Sequence, residues 1–260
     1  MTDARILVIE NSPSDPVGRL GDWLTAAGLV LREARPPSGE PLPESLDGYA
    51  ALVVLGGGQS ACGNRDGSEA AWFAAERHLL RHAVSERLPT LAICLGGQLL
   101  AQAYGGRVAP AAAGPEIGSR LVARRDAADA DPLFAAVPFT PDVIQWHFDE
   151  IVELPAGAVL LATSPRYQHQ AFRIGPRAWG TQFHIECDAP TLRSWAREDA
   201  EALADLGLEP DAVADACVAA LDDVAEVWQP VAERFAGIVL GTLDVEAARD
   251  PLRQLRILGE

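Results

Sequence analysis

The chain predicts an α/β fold: a doubly wound, mostly parallel sheet with a small antiparallel addition and a C-terminal helical extension. Three observations carry this. Short apolar, partly β-branched runs alternate with helix-length stretches up to Tyr104, the pattern of parallel strands joined by crossover helices. Two of the apolar runs end in corners built from small residues, Gly56-Gly57-Gly58 and Cys94-Leu95-Gly96-Gly97. In the final third the pattern becomes helical, so residues 1–188 read as one α/β domain and 189–260 as a helical extension packed on it.

Taken in order, Ala4 to Glu10 reads as a buried first strand, and the Asn-Ser-Pro-Ser-Asp-Pro segment after it as a loop. Val17 to Ala27 follows as a helix closed by Gly28, since glycine tolerates the left-handed conformation that ends helices. Leu29 to Ala34 is a second strand. Tyr49 to Leu55 is a third, almost wholly apolar, as strands covered on both faces are. Ser68 to Ser85 is helical, and Thr90 to Ile93 is the strand that leads into Cys94.

From Arg107 to Thr181 the texture shortens. Gly118–Arg124, Val143–Trp146 and Val159–Thr163 are strand-like and separated by proline-rich turns, which predicts antiparallel pieces at the edge of the sheet. Tyr167 to Arg173 reads as an exposed hairpin, with lining of a site as the alternative. Ala189 to Leu206 is helical. Val213, Cys217, Leu221, Val224, Trp228, Val231, Phe235 and Ile238 then recur at three- and four-residue steps, an amphipathic helix interrupted by Pro230. This tail is expected to pack on the flank of the domain, with a homodimer or partner surface as the sharper alternative.

Composition narrows the classes. The 260 residues carry a formal charge of -16, and all 21 Lys+Arg side chains are arginine. Such acidity opposes binding to nucleic acid or to an anionic membrane. The absence of lysine removes Walker A loops and Schiff-base chemistry. The 4 cysteines form no CxxC pair, so neither a zinc site nor a disulfide framework is expected. His78 and His82 share a helix face but have no third ligand nearby. No leader-like or membrane-spanning segment is read, which predicts a cytoplasmic protein.

Two stretches carry chemistry. In Pro89-Thr-Leu-Ala-Ile-Cys-Leu-Gly-Gly-Gln-Leu-Leu100 a strand turns into a helix with Cys94 at the corner. Such an elbow exposes a nucleophile while the next backbone N–H faces the reacting atom, and the helix N-terminus favours a thiolate. Gln98, one turn on, shares that face. A buried structural cysteine is the competing reading. Ala178-Trp-Gly-Thr-Gln-Phe-His-Ile-Glu186 is the second, a strand-like run ending in His184-x-Glu186. On a strand those two side chains point the same way, so the carboxylate can orient the imidazole toward a thiol.

Ala-Ile-Cys-Leu-Gly-Gly-Gln-Leu-Leu, followed by Gly-Thr-Gln-Phe-His-Ile-Glu, closely resembles the class I glutamine amidotransferase family. The resemblance is strong between residues 50 and 187. It implies a flavodoxin-like sheet, a Cys94–His184–Glu186 triad that hydrolyses the side-chain amide of glutamine, and no cofactor. It further implies oxyanion donors at the N–H groups of Gly57 and Leu95. Without it, the triple glycine reads first as a permissive turn. Gln145-Trp-His-Phe-Asp-Glu-Ile151 resembles the family's His-Gly-Asp segment, so Trp146, His147 and Phe148 join Gln98 as candidate substrate-binding residues. Phe148 stands in the glycine place, and His147 itself reads as structural. Ala92 replaces a usual glycine, and Gly97 a frequent histidine. The implied substrate is glutamine or a γ-glutamyl compound, with ammonia passed to a separate synthetase subunit. A stand-alone γ-glutamyl peptide hydrolase is the alternative, and a silent binding protein a third reading.

Overall fold

The structure is a computed structural model that describes residues 4–63, 68–243 and 245. Among these, β1 (Ala4–Ile9), β2 (Leu29–Ala34), β3 (Ala51–Val54) and β4 (Thr90–Ile93) lie in one sheet with four later strands. These are β7 (Ala123–Arg124), β10 (Val159–Thr163), β11 (Ala171–Ile174) and β12 (Ala178–Thr181). The order is β2-β1-β3-β4-β12-β11-β10-β7. Pairing is parallel from β2 through β12 and antiparallel from β12 to β7. The predicted architecture is therefore present: a parallel half extended by an antiparallel edge.

Side-chain alternation explains why the sheet is covered on both faces. Ile6 and Val8 point into one cluster, with Leu20 and Leu24 of α1 (Gly18–Ala26) and Phe235 of α7 (Leu221–Leu240). Leu7 and Ile9 point into the other, with Leu79 of α2 (Phe73–Ser85) and Leu99 of α3 (Leu95–Ala103). A period of two with apolar residues at every step can only be buried on both sides. Helix α3 sits low on the sheet because Gly96 and Gly97 lack side chains. A Cβ on Gly96 would stand 2.4 Å from the Val54 carbonyl oxygen, and one on Gly97 2.5 Å from that of Thr181.

The middle of the chain adds two antiparallel pairs. β5 (Arg107–Pro110) pairs with β9 (Asp149–Glu153), and β6 (Glu116–Leu121) with β8 (Asp142–His147).

Three expectations change. The run from Ala178 does not reach Glu186 as a strand: β12 stops at Thr181. Its neighbour β4 has already turned into α3, so no parallel ladder is left to extend. The chain crosses to β8 instead, where His184 N–H donates to the Ile144 carbonyl at 2.8 Å. Tyr167 to Arg173 is not an exposed hairpin. Gln170, Ala171 and Phe172 are fully buried because β11 is an interior strand of the sheet. The tail is two helices, α6 (Pro210–Ala219) and α7, separated at Ala220. Pro230 lies inside α7 without ending it. It is on the exposed side, where water can satisfy the carbonyl that its missing N–H leaves free.

The remaining α-helices among the described residues are α4 (Ala189–Glu198) and α5 (Ala200–Asp205). Asp188 caps α4 by accepting from Thr191 N–H at 2.8 Å. Trp228 of α7 donates its indole N–H to the Asp142 carbonyl at 2.9 Å, fixing the tail against β8.

Candidate active site

Cys94 stands between β4 and α3 with φ 50 and ψ -108. Apart from Arg87, it is the only described non-glycine residue at positive φ. That conformation is costly for an L-residue and is held from both sides. Cys94 N–H donates to the Thr181 carbonyl at 2.8 Å, and the Cys94 carbonyl accepts from Gln98 N–H at 2.9 Å. Its sulfur is within 3.9 Å of the Trp146 carbonyl oxygen and 3.6 Å of Gln182 Nε2. The elbow read from the sequence is thus present, with its thiol buried at the floor of a cavity rather than on open surface.

His184 and Glu186 do share a side, although no strand puts them there. Nδ1 of His184 lies 2.6 Å from Glu186 Oε1, and the second carboxylate oxygen accepts from Ile185 N–H at 2.9 Å. The pair is almost fully buried, and the ring packs on Trp195 with centroids 4.6 Å apart. Among the described residues Nε2 makes no hydrogen bond of ordinary geometry, and the Cys94 sulfur is the group beside it. Burial pulls the imidazole pKa down, but the Glu186 carboxylate and the nearby Cys94 sulfur outweigh it and hold it well above 6.5. A Cβ on Gly56 would come 3.0 Å from His184 Cε1 and 3.6 Å from Cys94 Cβ. Gly56 therefore keeps open the space in which imidazole and cysteine face each other.

Gly57 lies against Leu95: its Cβ, if present, would be 3.0 Å from Leu95 Cδ2. Leu95 opens α3, so its N–H has no carbonyl partner inside the helix. Gln98 lines the cavity but spends its amide N–H groups internally. Nε2 donates to Gln182 Oε1 at 3.1 Å and to the Asp149 carbonyl at 3.4 Å. Gln182 thereby links Gln98 to the Cys94 sulfur. It sits two residues before His184, a position that sequence reasoning passed over.

Trp146, His147 and Phe148 all line the cavity. Trp146 donates its indole N–H to Asp199 Oδ2 at 2.8 Å. His147 is buried with both ring nitrogens engaged, Nδ1 2.8 Å from the Asp149 carbonyl oxygen and Nε2 3.4 Å from Glu116 Oε2. That fits the structural reading of its side chain. Phe148 is 39% exposed at the rim.

The cavity, about 280 Å³, also holds residues that no motif announced. Ser12, Ser14 and Asp15 come from the loop after β1, and Trp195, Glu198 and Asp199 from the end of α4 and the residue after it. Burial pushes the Asp15 carboxyl up to about 6, against the pull of His184 and with the help of Glu186.

Comparison with known proteins identifies the family. The family model for glutamine amidotransferase class-I matches residues 39–193, more than half of the chain. The chain belongs to the class I glutamine amidotransferase family. The glutamine amidotransferase-like protein YfeJ of Salmonella typhimurium is 30% identical over 203 residues, covering 77% of this chain and 83% of that protein. Gamma-glutamyl peptidase 5 of Arabidopsis thaliana is 28% identical over 200 residues, 75% and 76% of the two chains. The crystal structure of a glutamine amidotransferase from Thermotoga maritima superposes with a TM-score of 0.79 at 27% identity, covering 91% of this chain and 99% of that one.

Within this class I amidotransferase-family chain, the matched segment contains Cys94, His184, Glu186 and the Gly56–Gly58 turn. Ser12, Ser14, Asp15, Trp195, Glu198 and Asp199 lie outside it, yet they form one side of the same cavity.

Proposed function

We propose that this chain hydrolyses the side-chain amide of glutamine, or of a γ-glutamyl amide, through a thioester on Cys94. The observation that carries the reading is His184, with Nδ1 held by Glu186 and Nε2 beside the Cys94 sulfur in one cavity.

In this mechanism His184 Nε2 takes the Cys94 proton and the sulfur attacks the δ-carbonyl carbon. Negative charge develops on the carbonyl oxygen, where the N–H groups of Gly57 and Leu95 receive it; loss of one such donor costs about 100- to 1000-fold. The imidazolium, stabilised by Glu186, gives its proton to the amide nitrogen. The C–N bond breaks, ammonia or an amine leaves, and a glutamyl thioester remains. Water, deprotonated by His184, then attacks the thioester carbon; the C–S bond breaks, glutamate leaves, and the imidazolium returns the proton to sulfur. Gln98 and the backbone from Trp146 to Phe148 hold the amino and carboxylate groups of the glutamyl head. The buried Cys94, the pocket around it and the relatives' names support this reading over that of a silent binding protein, since packing alone requires none of the three side chains.

The test is glutamate release from glutamine and from γ-glutamyl amides, beside Cys94→Ala, with labelling of Cys94 by a glutamine-like electrophile. Release and labelling that both vanish in the variant are expected. Full turnover by Cys94→Ala, or an unreactive Cys94 in a chain that releases no glutamate, overturns the proposal.

A further inference from the structure

Gln182 has no task in the mechanism above, yet it lies against the reacting atom. Its Nε2 is 3.6 Å from the Cys94 sulfur, and the residue is 1% exposed. Its backbone is held independently of any ligand. Gln182 N–H donates to the Gln170 carbonyl at 2.8 Å, where β12 has ended and β11 is about to begin.

Which end of the amide faces the sulfur follows from a run of hydrogen bonds that stops on the backbone. The Asp149 carbonyl oxygen can only accept, and the Gln98 amide meets it at 3.4 Å, so Gln98 presents its NH₂ there. The same NH₂ lies 3.1 Å from the Gln182 amide, whose oxygen is therefore the accepting atom. Gln182 is left with its own NH₂ toward Cys94. Turning both amides over would set the Gln98 oxygen against the Asp149 carbonyl oxygen and the Gln182 oxygen against the sulfur, a costly arrangement among buried groups.

The other neighbours of the sulfur do different work. The Trp146 carbonyl oxygen, at 3.9 Å, can accept from the thiol but offers nothing to a sulfur that has lost its proton. His184 is the group that takes that proton. The Gln182 amide is a neutral donor already in place for the sulfur that results.

Resting on the hydrolase reading, we propose that Gln182 is a catalytic residue. Its amide N–H, aimed by Gln98, holds the negative charge that the Cys94 sulfur carries before it attacks the δ-carbonyl carbon, and again when the C–S bond of the thioester breaks. No bond forms or breaks at the amide itself, and the proton still travels between sulfur and His184. A hydrogen bond to a charged acceptor is of the stronger kind.

The experiment substitutes Gln182→Met, which keeps the length of the side chain and removes its N–H. Glutamate release is compared with the rate at which iodoacetamide alkylates Cys94, read from the mass of the Cys94 peptide, in variants that denaturant titration shows to be folded. Both kcat and the alkylation rate are expected to fall by about 10- to 100-fold, with KM for glutamine changed by less than about two-fold. Gln98→Met leaves Gln182 in place but frees its amide to turn. It is expected to slow alkylation as well, and the double variant to be no slower than Gln182→Met alone. Unchanged alkylation in Gln182→Met, a raised KM with unchanged kcat, or additive losses in the double variant overturns this role and leaves the hydrolase standing. A parent chain that releases no glutamate and whose Cys94 resists alkylation overturns both.

Discussion

Cys94 and Thr181 are joined by a 2.8 Å hydrogen bond from the cysteine N–H to the threonine carbonyl, across the junction where β4 ends and β12 ends beside it. This contact ties the elbow to the start of the segment that carries Gln182, His184 and Glu186. The strand pairing thus fixes the candidate nucleophile and the start of that segment, and the bridge to Ile144 places the candidate base.

The strain at that elbow is measurable. Replacing Cys94 by glycine relieves a positive φ that alanine retains. Cys94→Gly is expected to be more stable than Cys94→Ala by about 1 kcal/mol. Paired denaturant titrations check this; an alanine variant equal to or more stable than the glycine variant contradicts it.

Glu186→Gln keeps a side chain of the same shape but removes the charge that holds the imidazole pKa high. The His184 pKa is expected to fall, and kcat to drop by about 100- to 10,000-fold, as for orienting acids elsewhere. NMR titration of the imidazole together with the pH–rate profile reads both. A variant with unchanged pKa and unchanged kcat would remove Glu186 from the mechanism.

The glycine turn gives a steric contrast. Gly56→Ala places a Cβ 3.0 Å from His184 Cε1, whereas a Cβ on Gly58 meets nothing within 4 Å. Gly56→Ala is expected to lower kcat by at least about ten-fold with little loss of stability, since a small misplacement of a reacting group is expensive. Gly58→Ala is expected to alter the rate much less. Comparable losses in the two variants would show that steric access to His184 is not the controlling factor.

Glu76 supplies a pH test of stability. It is fully buried, with Oε1 accepting from Asn11 Nδ2 at 2.8 Å and Oε2 without a partner. Burial pushes its pKa up from 4.5 to about 8, opposed by the Asn11 hydrogen bond and Arg77. The folded state therefore keeps a proton that the unfolded chain releases. This group's contribution to stability is full below about pH 4.5 and falls as pH rises to about 8, by roughly 5 kcal/mol in all. Glu76→Gln, whose amide does not ionise, is expected to flatten that slope in denaturant titrations at successive pH values. An unchanged slope would place the titrating group elsewhere.

Apolar periodicity located β1, β2, β4 and β10 within a residue or so, because buried strands leave no choice about which side chains face the core. The elbow at Cys94 was legible for a related reason: a strand, one reactive residue and two glycines close over a few positions, so local sequence holds the geometry. The same locality explains where reading failed. From the sequence Pro230 reads as a break, but its effect depends on whether its carbonyl partner faces water. The His184–Glu186 alignment was assigned to a strand, yet pairing with Ile144, some forty residues away in the chain, puts it in place.

By itself, then, the sequence determined the α/β class, the parallel half of the sheet and the candidate cysteine, histidine and glutamate that follow the carboxyl ends of β4 and β12. Only the tertiary structure decided that Asp15 from the first loop and Glu198 and Asp199 from the end of α4 share their cavity. The reason is physical. An apolar residue states its destination through burial, while a carboxylate is as stable in water as in a site. Its role is set by the distant segments that fold against it.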